Sequence, residues 1–421
     1  MERSFYYLES LSRAFSHAGT VFVTQDRQEE VEIAFSRFRF NIPTLRCFDL
    51  QRKKKPTVMT TVYMKRIFIL LLASASVCLA QGDRLVPRQN RPNQGAIGSS
   101  EQNTTPYSFV EPNFLLPENA AANDYRPVLN AEGTTVIFER NATATPNDVK
   151  LYSADLATGI VQSFVNFAST RPDWCWNRSG AGLTSGPVAF SNAEGIYRVD
   201  PGALPVLLPN TEGMIYPSWY PDCQELAVDV TGAQVTAEID ATTGQIVRSP
   251  LGSDRVWAGF PSVNQPNPNL VAFAGQFNRE SPYYNQDLNY VWVTNTSLGR
   301  PIVAPLDRHA PKGQGFKQKF QARAGWWSPD GQWFAFESNR ACTDINGQTY
   351  AIFIQDASGI RPAMQVSDCT SWNVQHPKWF PPRSDGKVFL IAAVQDAQGG
   401  SGPPAPFRIA SFDVTQFVTG H

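Results

Sequence analysis

The chain has 421 residues, of which 42% are hydrophobic, 12% aromatic and 17% charged. This is the composition of a globular protein with a buried core, and the Gly and Pro residues show no triplet period, which excludes collagen. A formal charge of −1 argues against a general nucleic-acid-binding protein.

The first structural signal along the chain is an apolar run from Ile67 to Ala80, which follows the charged start Met64-Lys65-Arg66. A basic start, a short apolar stretch and small residues at its end are typical of a secretory signal peptide. We therefore interpret residues 64–80 as a signal peptide and residues 1–63 as a mis-assigned extension. The run is too short for a comfortable membrane span, so we expect no stable span after cleavage.

Removal of residues 1–80 leaves 24 basic and 30 acidic residues, a formal charge of −6. We expect a secreted or periplasmic protein that has no nucleic-acid partner and is a monomer in solution. Four cysteines remain, an even number in a chain sent to an oxidising compartment. Residues 81–107 are rich in Pro, Asn and Gln and are interpreted as a linker.

A repeat fills the rest of the chain. Its clearest copy is Trp326-Trp327-Ser328-Pro329-Asp330-Gly331, followed by the alternating strand Gln332 to Phe336. A Pro-Asp-Gly turn between two apolar segments predicts a β-hairpin. Further copies begin at an anchor residue, and the six anchors are Pro127, Pro172, Pro217, Pro261, Gly325 and Pro377.

Each copy contains two more short strands after the hairpin, and the anchors lie 44 to 64 residues apart. Four strands in a unit of about 45 residues predict a propeller blade. The fold class is therefore all-β, a single six-bladed β-propeller of four-stranded antiparallel blades over residues 108–421. We expect the segment from Ser108 to Leu116 to pair beside Phe407 to Val414 and close the ring.

The Trp-Ser-Pro-Asp-Gly pattern resembles the WD40-like (PD40) repeat of TolB-like proteins, over about Asp124 to Gly420. The resemblance implies an exported six-bladed propeller used for protein contacts. The separate domain that precedes the TolB propeller has no counterpart here, so no Tol-system partner is implied.

No motif for a catalytic group, a metal or a cofactor is found, and we predict no catalytic residues, no metal and no cofactor. The function that we predict is recognition of a protein or an anionic ligand outside the cytoplasm. The alternative is a polysaccharide-acting enzyme, a lyase or hydrolase, that uses the propeller channel. Carboxylates or histidines clustered at the channel mouth would favour the enzyme.

The longest loops predict the binding face, because loops on a rigid scaffold carry function. The segment from Leu306 to Arg323 has five basic residues against one acidic residue, which suits an acidic protein or an anionic glycan. Solvated insertions without a ligand are the alternative. The candidate residues are Tyr283, Tyr284, Arg308, His309, Lys312, Phe316, Lys317, Lys319 and Arg323. The residues before three anchors, Arg126, Arg171 and His376, are the alternative site at the channel.

Blade register predicts two disulfides, Cys175–Cys223 and Cys342–Cys369, because each pair lies on one face of the propeller. The tryptophans that follow four of the anchors by two residues are Trp174, Trp219, Trp327 and Trp379. Their repetition at one position favours packing between blades over a platform for stacking sugars.

Overall fold

The computed structural model describes residues 107–178, 182–251, 256–277, 288–298, 304–307, 320–342, 349–397 and 405–420, and the backbone of three strands nearer the amino terminus. The chain divides into two compact units, Met1–Gly98 and Ser99–His421. In the first unit, β1 (Thr24–Gln25), β2 (Val31–Phe35) and β3 (Phe38–Ile42) form an antiparallel sheet in that order.

The second unit is built almost wholly of β-strands, because its alternating apolar segments are separated by tight turns. They are β4 (Asn113–Phe114), β5 (Ala122–Leu129), β6 (Thr135–Ala142), β7 (Lys150–Asp155), β8 (Val161–Ser163), β9 (Thr170–Asn177), β10 (Thr184–Ser191), β11 (Ile196–Val199), β12 (Val206–Leu207), β13 (Met214–Trp219), β14 (Glu225–Val230), β15 (Val235–Asp240) and β16 (Ile246–Arg248).

The carboxyl-terminal half of the unit continues the same pattern. Its elements are β17 (Val256–Val263), β18 (Leu270–Phe277), β19 (Leu288–Asn295), a 3-10 helix (Thr296–Leu298), β20 (Ala304–Pro305), β21 (Phe320–Trp327), β22 (Trp333–Ser338), β23 (Ala351–Asp356), β24 (Met364–Gln365), β25 (Trp372–Trp379), β26 (Phe389–Asp396), β27 (Arg408–Asp413) and α1 (Thr415–Thr419). Within the described residues, no helix is both long and apolar enough to cross a membrane.

The strands assemble mainly into four-stranded antiparallel sheets, with the orders β5-β6-β7-β8, β9-β10-β11-β12, β13-β14-β15-β16 and β25-β26-β27-β4. The strands β17 to β24 form one eight-stranded sheet. Within it, β17 to β20 and β21 to β24 are each antiparallel, and a short parallel pairing of β19 with β21 joins the two groups. The all-β, propeller-like architecture agrees with the prediction.

The last sheet contains a strand from the start of the unit. Asn113 and Phe114 of β4 pair with Ser411 and Ala410 of β27, as the sequence predicted for the segment 108–116. Tyr107 then packs on Phe417 of α1, with ring centroids 5.1 Å apart. The outer edge of this sheet is therefore covered by the segment that leads into β5.

Aromatic and aliphatic side chains from facing sheets form the core. Fully buried examples are Trp219, Trp379, Phe138 and Phe353. The indole N–H groups of Trp219, Trp327 and Trp379 donate to main-chain carbonyls of β9, β17 and β21, the first strand of the preceding group of four, at 3.2, 3.1 and 2.8 Å. This confirms the packing interpretation for these three tryptophans.

The sheet β9-β10-β11-β12 does not follow this pattern of indole bonds to the preceding sheet. The indole of Trp174 donates to Gly186 O within its own sheet, whereas Trp176 reaches back to Leu129 O at 2.8 Å. In β9 it is therefore Trp176, and not Trp174, that donates to the preceding sheet.

Both predicted disulfides are confirmed. Cys175 and Cys223 join neighbouring sheets with their Cα atoms 5.9 Å apart, and the Cα atoms of Cys342 and Cys369 are 5.7 Å apart. All four cysteines that follow the predicted signal peptide are thus paired.

Candidate functional site: a ring of left-handed residues around the channel

Six strands, β5, β9, β13, β17, β21 and β25, each begin a run of four, and we call them the inner strands. Each is interrupted by a bulge where its pairing with the next strand shifts. At each bulge one non-glycine residue adopts a left-handed conformation, with φ between 46° and 58°. These ring residues are Arg126, Arg171, Tyr216, Phe260, Ala324 and His376.

Every ring residue directly precedes one of the anchors, which is Pro in five repeats and Gly325 in the sixth. Proline disfavours the right-handed helical region for the residue before it, and a bulge redirects a side chain out of the regular alternation. A left-handed non-glycine residue costs on the order of 1–3 kcal/mol, and such residues cluster at functional sites. The repetition therefore marks this ring as the candidate site.

Side chains of the preceding sheet hold the ring through its main-chain N–H groups. Glu139 Oε1 accepts from Arg171 N at 2.5 Å, and Glu337 Oε2 accepts from His376 N at 2.6 Å. Ser191 Oγ accepts from Tyr216 N at 3.2 Å. These acceptors lie on the second strands of their sheets, so each bond crosses from one sheet to the next.

Two arginines in or beside the ring are already neutralised by buried carboxylates. Arg126 Nη1 lies 2.6 Å from Glu139 Oε2, and Arg323 Nε lies 2.7 Å from Glu337 Oε1. Burial raises the pKa of Glu337, while Arg323 and the His376 N–H oppose that rise. Each carboxylate is therefore engaged in an ion pair and in a hydrogen bond that holds a ring residue, and neither is free for proton transfer.

His376 is a neutral imidazole. Burial and the neighbouring positive charges of Arg126 and Arg323 hold its pKa well below the usual value. Its Nδ1 lies 3.9 Å from Glu337 Oε2, but a neutral ring makes no ion pair there. His376 also contacts Tyr125 edge-on, with centroids 4.6 Å apart, which is the environment of a packed side chain.

Arg171 differs from the other cations. Its guanidinium lies over the Tyr216 ring, 4.2 Å from the centroid, and Tyr216 in turn packs on Phe260 at 4.0 Å. Its Nε is buried, and no described residue forms a hydrogen bond or ion pair with its side chain. Burial raises the pKa of nearby Asp229 to about 7, and the charge of Arg171 opposes this.

The ring encloses a cavity in which the volume open to the centre of a water molecule is about 50 Å³. One water needs about 10–15 Å³ by this measure, so the cavity has room for three or four waters or one small charged group. Lys378 and Trp326 also line the cavity, and each follows a ring residue by two positions in the chain.

Lys378 reaches from β25 to β9, which belongs to a sheet that is not its neighbour along the chain. Its Nζ lies 3.0 Å from Asp173 Oδ1 and 3.7 Å from the centroid of Trp326. Burial raises the pKa of Asp173 and lowers that of Lys378, and their mutual attraction opposes both changes. Arg178 likewise donates to Pro329 O. These bonds cross between sheets far apart in sequence.

The structure brings the alternative candidates Arg126, Arg171 and His376 together at one cavity. Of the loop candidates, Arg323 lies in β21 with its charge paired to Glu337. The other eight lie outside the described residues: Tyr283, Tyr284, Arg308, His309, Lys312, Phe316, Lys317 and Lys319.

Several residues of the site were missed from the sequence. Tyr216 and Phe260 occupy the position before an anchor proline, so the same rule that gave Arg126 would have found them. Glu139, Glu337 and Asp173 lie inside strands and carry no such signal. Within the described residues, no three His, Cys, Asp or Glu side chains are grouped so as to hold a metal ion.

The four-stranded sheets and their ring of inner strands place the chain in the all-β propeller class. No family model matches the chain, and no curated protein matches it. Among solved structures, an oligogalacturonate lyase from Vibrio parahaemolyticus is 12% identical with a TM-score of 0.43, covering 73% of this chain and 97% of that one.

Two TolB structures are similar at the same level. The protein from Agrobacterium tumefaciens is 15% identical with a TM-score of 0.39, covering 61% of this chain and 88% of that one. The protein from Acinetobacter baumannii is 16% identical with a TM-score of 0.36, covering 71% and 65%. Likenesses of this degree assign neither a family nor an activity to the chain.

Proposed function

We propose that the chain is an exported, six-bladed propeller that recognises a ligand without transforming it, and that the channel binds an anionic group of that ligand. The count of six is supported by the six inner strands with the same bulge. The eight-stranded sheet is then two blades, β17 to β20 and β21 to β24, that touch through β19 and β21.

The unpaired guanidinium of Arg171 is the observation that carries the binding function. It lies in a small cavity, against an aromatic ring, and makes no hydrogen bond or close ion pair with a described residue, although the Asp229 carboxyl is near enough for the charge of Arg171 to act on its pKa. Guanidinium groups bind carboxylates and phosphates strongly when water is excluded. The cavity volume admits such a group, and the rest of a larger ligand would extend beyond the ring.

A non-catalytic role is favoured because the carboxylates near the cavity already have structural partners. Glu139 and Glu337 bind main-chain N–H groups, and Asp173 is paired with Lys378. The polysaccharide-acting enzyme remains the second candidate, since a carboxyl with a pKa of about 7, as in Asp229, suits a general acid or base. Asp229, however, is not among the residues that line the cavity.

Export is supported by the two disulfides, since such bonds persist in oxidising compartments. The proposed signal peptide, residues 64–80, lies outside the described residues. Amino-terminal sequencing of the secreted protein tests it, and cleavage after Ala80 is the expected result.

The channel site is tested by thermal unfolding with acetate and with inorganic phosphate, against sodium chloride of equal ionic strength. A ligand at about 20 times its Kd stabilises by roughly 1.8 kcal/mol, which raises the melting temperature by a few degrees. Arg171→Gln should abolish the increase. Arg361→Gln, at an exposed arginine outside the ring, is the matched control and should retain it.

Equal stabilisation of both variants would contradict a site at Arg171. The loop face is then tested by charge reversal at Lys317 and Lys319, which should weaken capture of an acidic partner if that face binds it. If the melting temperature and the capture both stay unchanged, neither surface binds anions.

A further inference from the structure

The outer rim of two successive sheets exposes a group of large apolar side chains. Leu204 is 84% exposed, Val206 61% and Leu207 39%, at or beside β12, the outermost strand of its sheet. Ile246 and Val247 on β16, the outermost strand of the next sheet, are 52% and 53% exposed. Single exposed apolar residues are normal, but five at or beside the outer strands of two successive sheets form a patch.

The two strands belong to one surface because the segments beside them are in contact. Asn210 Nδ2 donates to Thr243 O at 3.2 Å, and Arg198 Nη1 donates to Ala241 O at 3.2 Å. A Cβ atom at Gly244 would collide with Pro209 O, so the two main chains approach closely there. We call the surface formed by Leu204, Val206, Leu207, Ile246 and Val247 the apolar rim.

The strand β16 carries no proline, and no described segment covers its free edge, so its only protection against edge pairing is its length of three residues and the charge of Arg248. Among the described residues it pairs only with β15, and all three of its side chains are exposed. Outer strands elsewhere are more polar or more buried: β8 exposes Gln162 and Ser163, and Gln365 of β24 is buried.

In place of the monomer expected from the sequence, we propose that the apolar rim is a dimer interface, in which β16 pairs antiparallel with β16 of a second copy of this chain. The rim exposes on the order of 500 Å² of apolar surface, and interfaces are about 60% apolar. Burying this area in both copies removes about 1,000 Å² in total, near the lower limit of a specific interface.

A second copy fits the rim for two further reasons. An antiparallel strand is its own complement about a two-fold axis, so each free N–H or C=O on one edge meets its counterpart on the other. The stretches 203–211 and 241–247 contain no charged residue, so bringing two copies together opposes no like charges. Arg248 is the one charge on β16, and it lies 3.8 Å from Glu238 of its own sheet.

The proposal is tested by measuring the mass of the full chain in solution by analytical ultracentrifugation, from about 1 to 100 µM, a range suited to a micromolar Kd. A dimer is expected at the upper end. Val247→Lys should raise the dimer Kd at least about tenfold, since a lysine on an edge strand opposes edge pairing. Its melting temperature should stay within about 2 °C of the wild-type value, because the site is half-exposed.

The matched controls are Ile160→Lys and Ile360→Lys, which place the same charge at isoleucines that are 64% and 66% exposed but lie in the turns before β8 and β24, away from the apolar rim. Both should dimerise like the wild type. Hydrogen exchange should also show slower exchange of the β16 amides at high concentration than at low. A monomer at every concentration, or a dimer that Val247→Lys leaves unchanged, would overturn the proposal.

Discussion

The buried pair of Lys378 and Asp173 gives the sharpest test of how the channel is held together. We expect Lys378→Met to lower the free energy of unfolding by about 3–5 kcal/mol, the usual cost of leaving one member of a buried ion pair alone. Methionine keeps an apolar chain over Trp326, so the change removes mainly the charge. Asp173 would then retain the Trp219 N–H, at 3.0 Å, as a donor.

The size of the effect follows from the geometry. At 3.0 Å, two unit charges attract by about 5.5 kcal/mol at an effective dielectric constant of 20. That attraction offsets the desolvation of both groups, so the intact pair adds little net stability. Removing both charges with Lys378→Met and Asp173→Asn should therefore cost clearly less than Lys378→Met alone.

The measurement is urea unfolding at pH 7 of the wild type, the two single variants and the double variant. A coupling free energy of at least about 2 kcal/mol is expected between the two sites. Lys387→Met is the control, because its partner Asp413 is 3.8 Å away and both groups are exposed, and such pairs contribute under about 1 kcal/mol. A loss for Lys378→Met no larger than for this control would refute the reasoning.

Three further predictions follow from the described contacts. Because the pKa of Asp229 is raised to about 7, the folded state keeps a proton that the unfolded state loses near pH 4, so this group reduces stability as the pH rises from 4 to 7. The urea midpoint of Asp229→Asn should accordingly fall less over that range than the wild-type midpoint, and parallel curves would contradict the assignment. Deletion of residues 82–117 removes β4 and should lower the melting temperature by about 5 °C or more; an unchanged melt in calorimetry would show that the segment is only a tether. Replacing Cys175 and Cys223 by Ser should cost about 4 kcal/mol, the chain entropy of a loop with a sequence separation of 48, and an undiminished denaturation midpoint would exclude that contribution.

The sheets could be predicted from the sequence because the repeat is a local signal. A Pro-Asp-Gly turn such as Pro329-Asp330-Gly331 fixes a hairpin, and alternating residues such as those of β22 fix which side is buried. Ring closure by β4 was also predictable, since one apolar patch precedes the first repeat. The parallel pairing of β19 with β21 was not, because it depends on how two neighbouring sheets meet.

The site was predictable only in part. The anchor prolines pointed to Arg126, Arg171 and His376, but whether each charge is paired depends on side chains of other strands and other sheets. Glu139 neutralises Arg126 across a bulge, and Lys378 finds Asp173 two sheets away. The same limit applies to the tryptophans of β9. The sequence favoured Trp174 for packing between sheets, but Trp176 makes the bond, because the carbonyl that accepts the indole hydrogen bond belongs to another sheet.

The contact between the first and last described residues of the second unit has a consequence for chain connectivity. Tyr107 Oη donates to Gly420 O at 3.3 Å, so a short peptide could join these ends. Circular permutation would then be tolerated, with new ends in the loop between β8 and β9. In that variant the bonds from Arg171 N to Glu139 and from Trp176 Nε1 to Leu129 O would hold the opened junction without a covalent link. The point at which the chain starts is therefore separable from the order of the repeats around the ring.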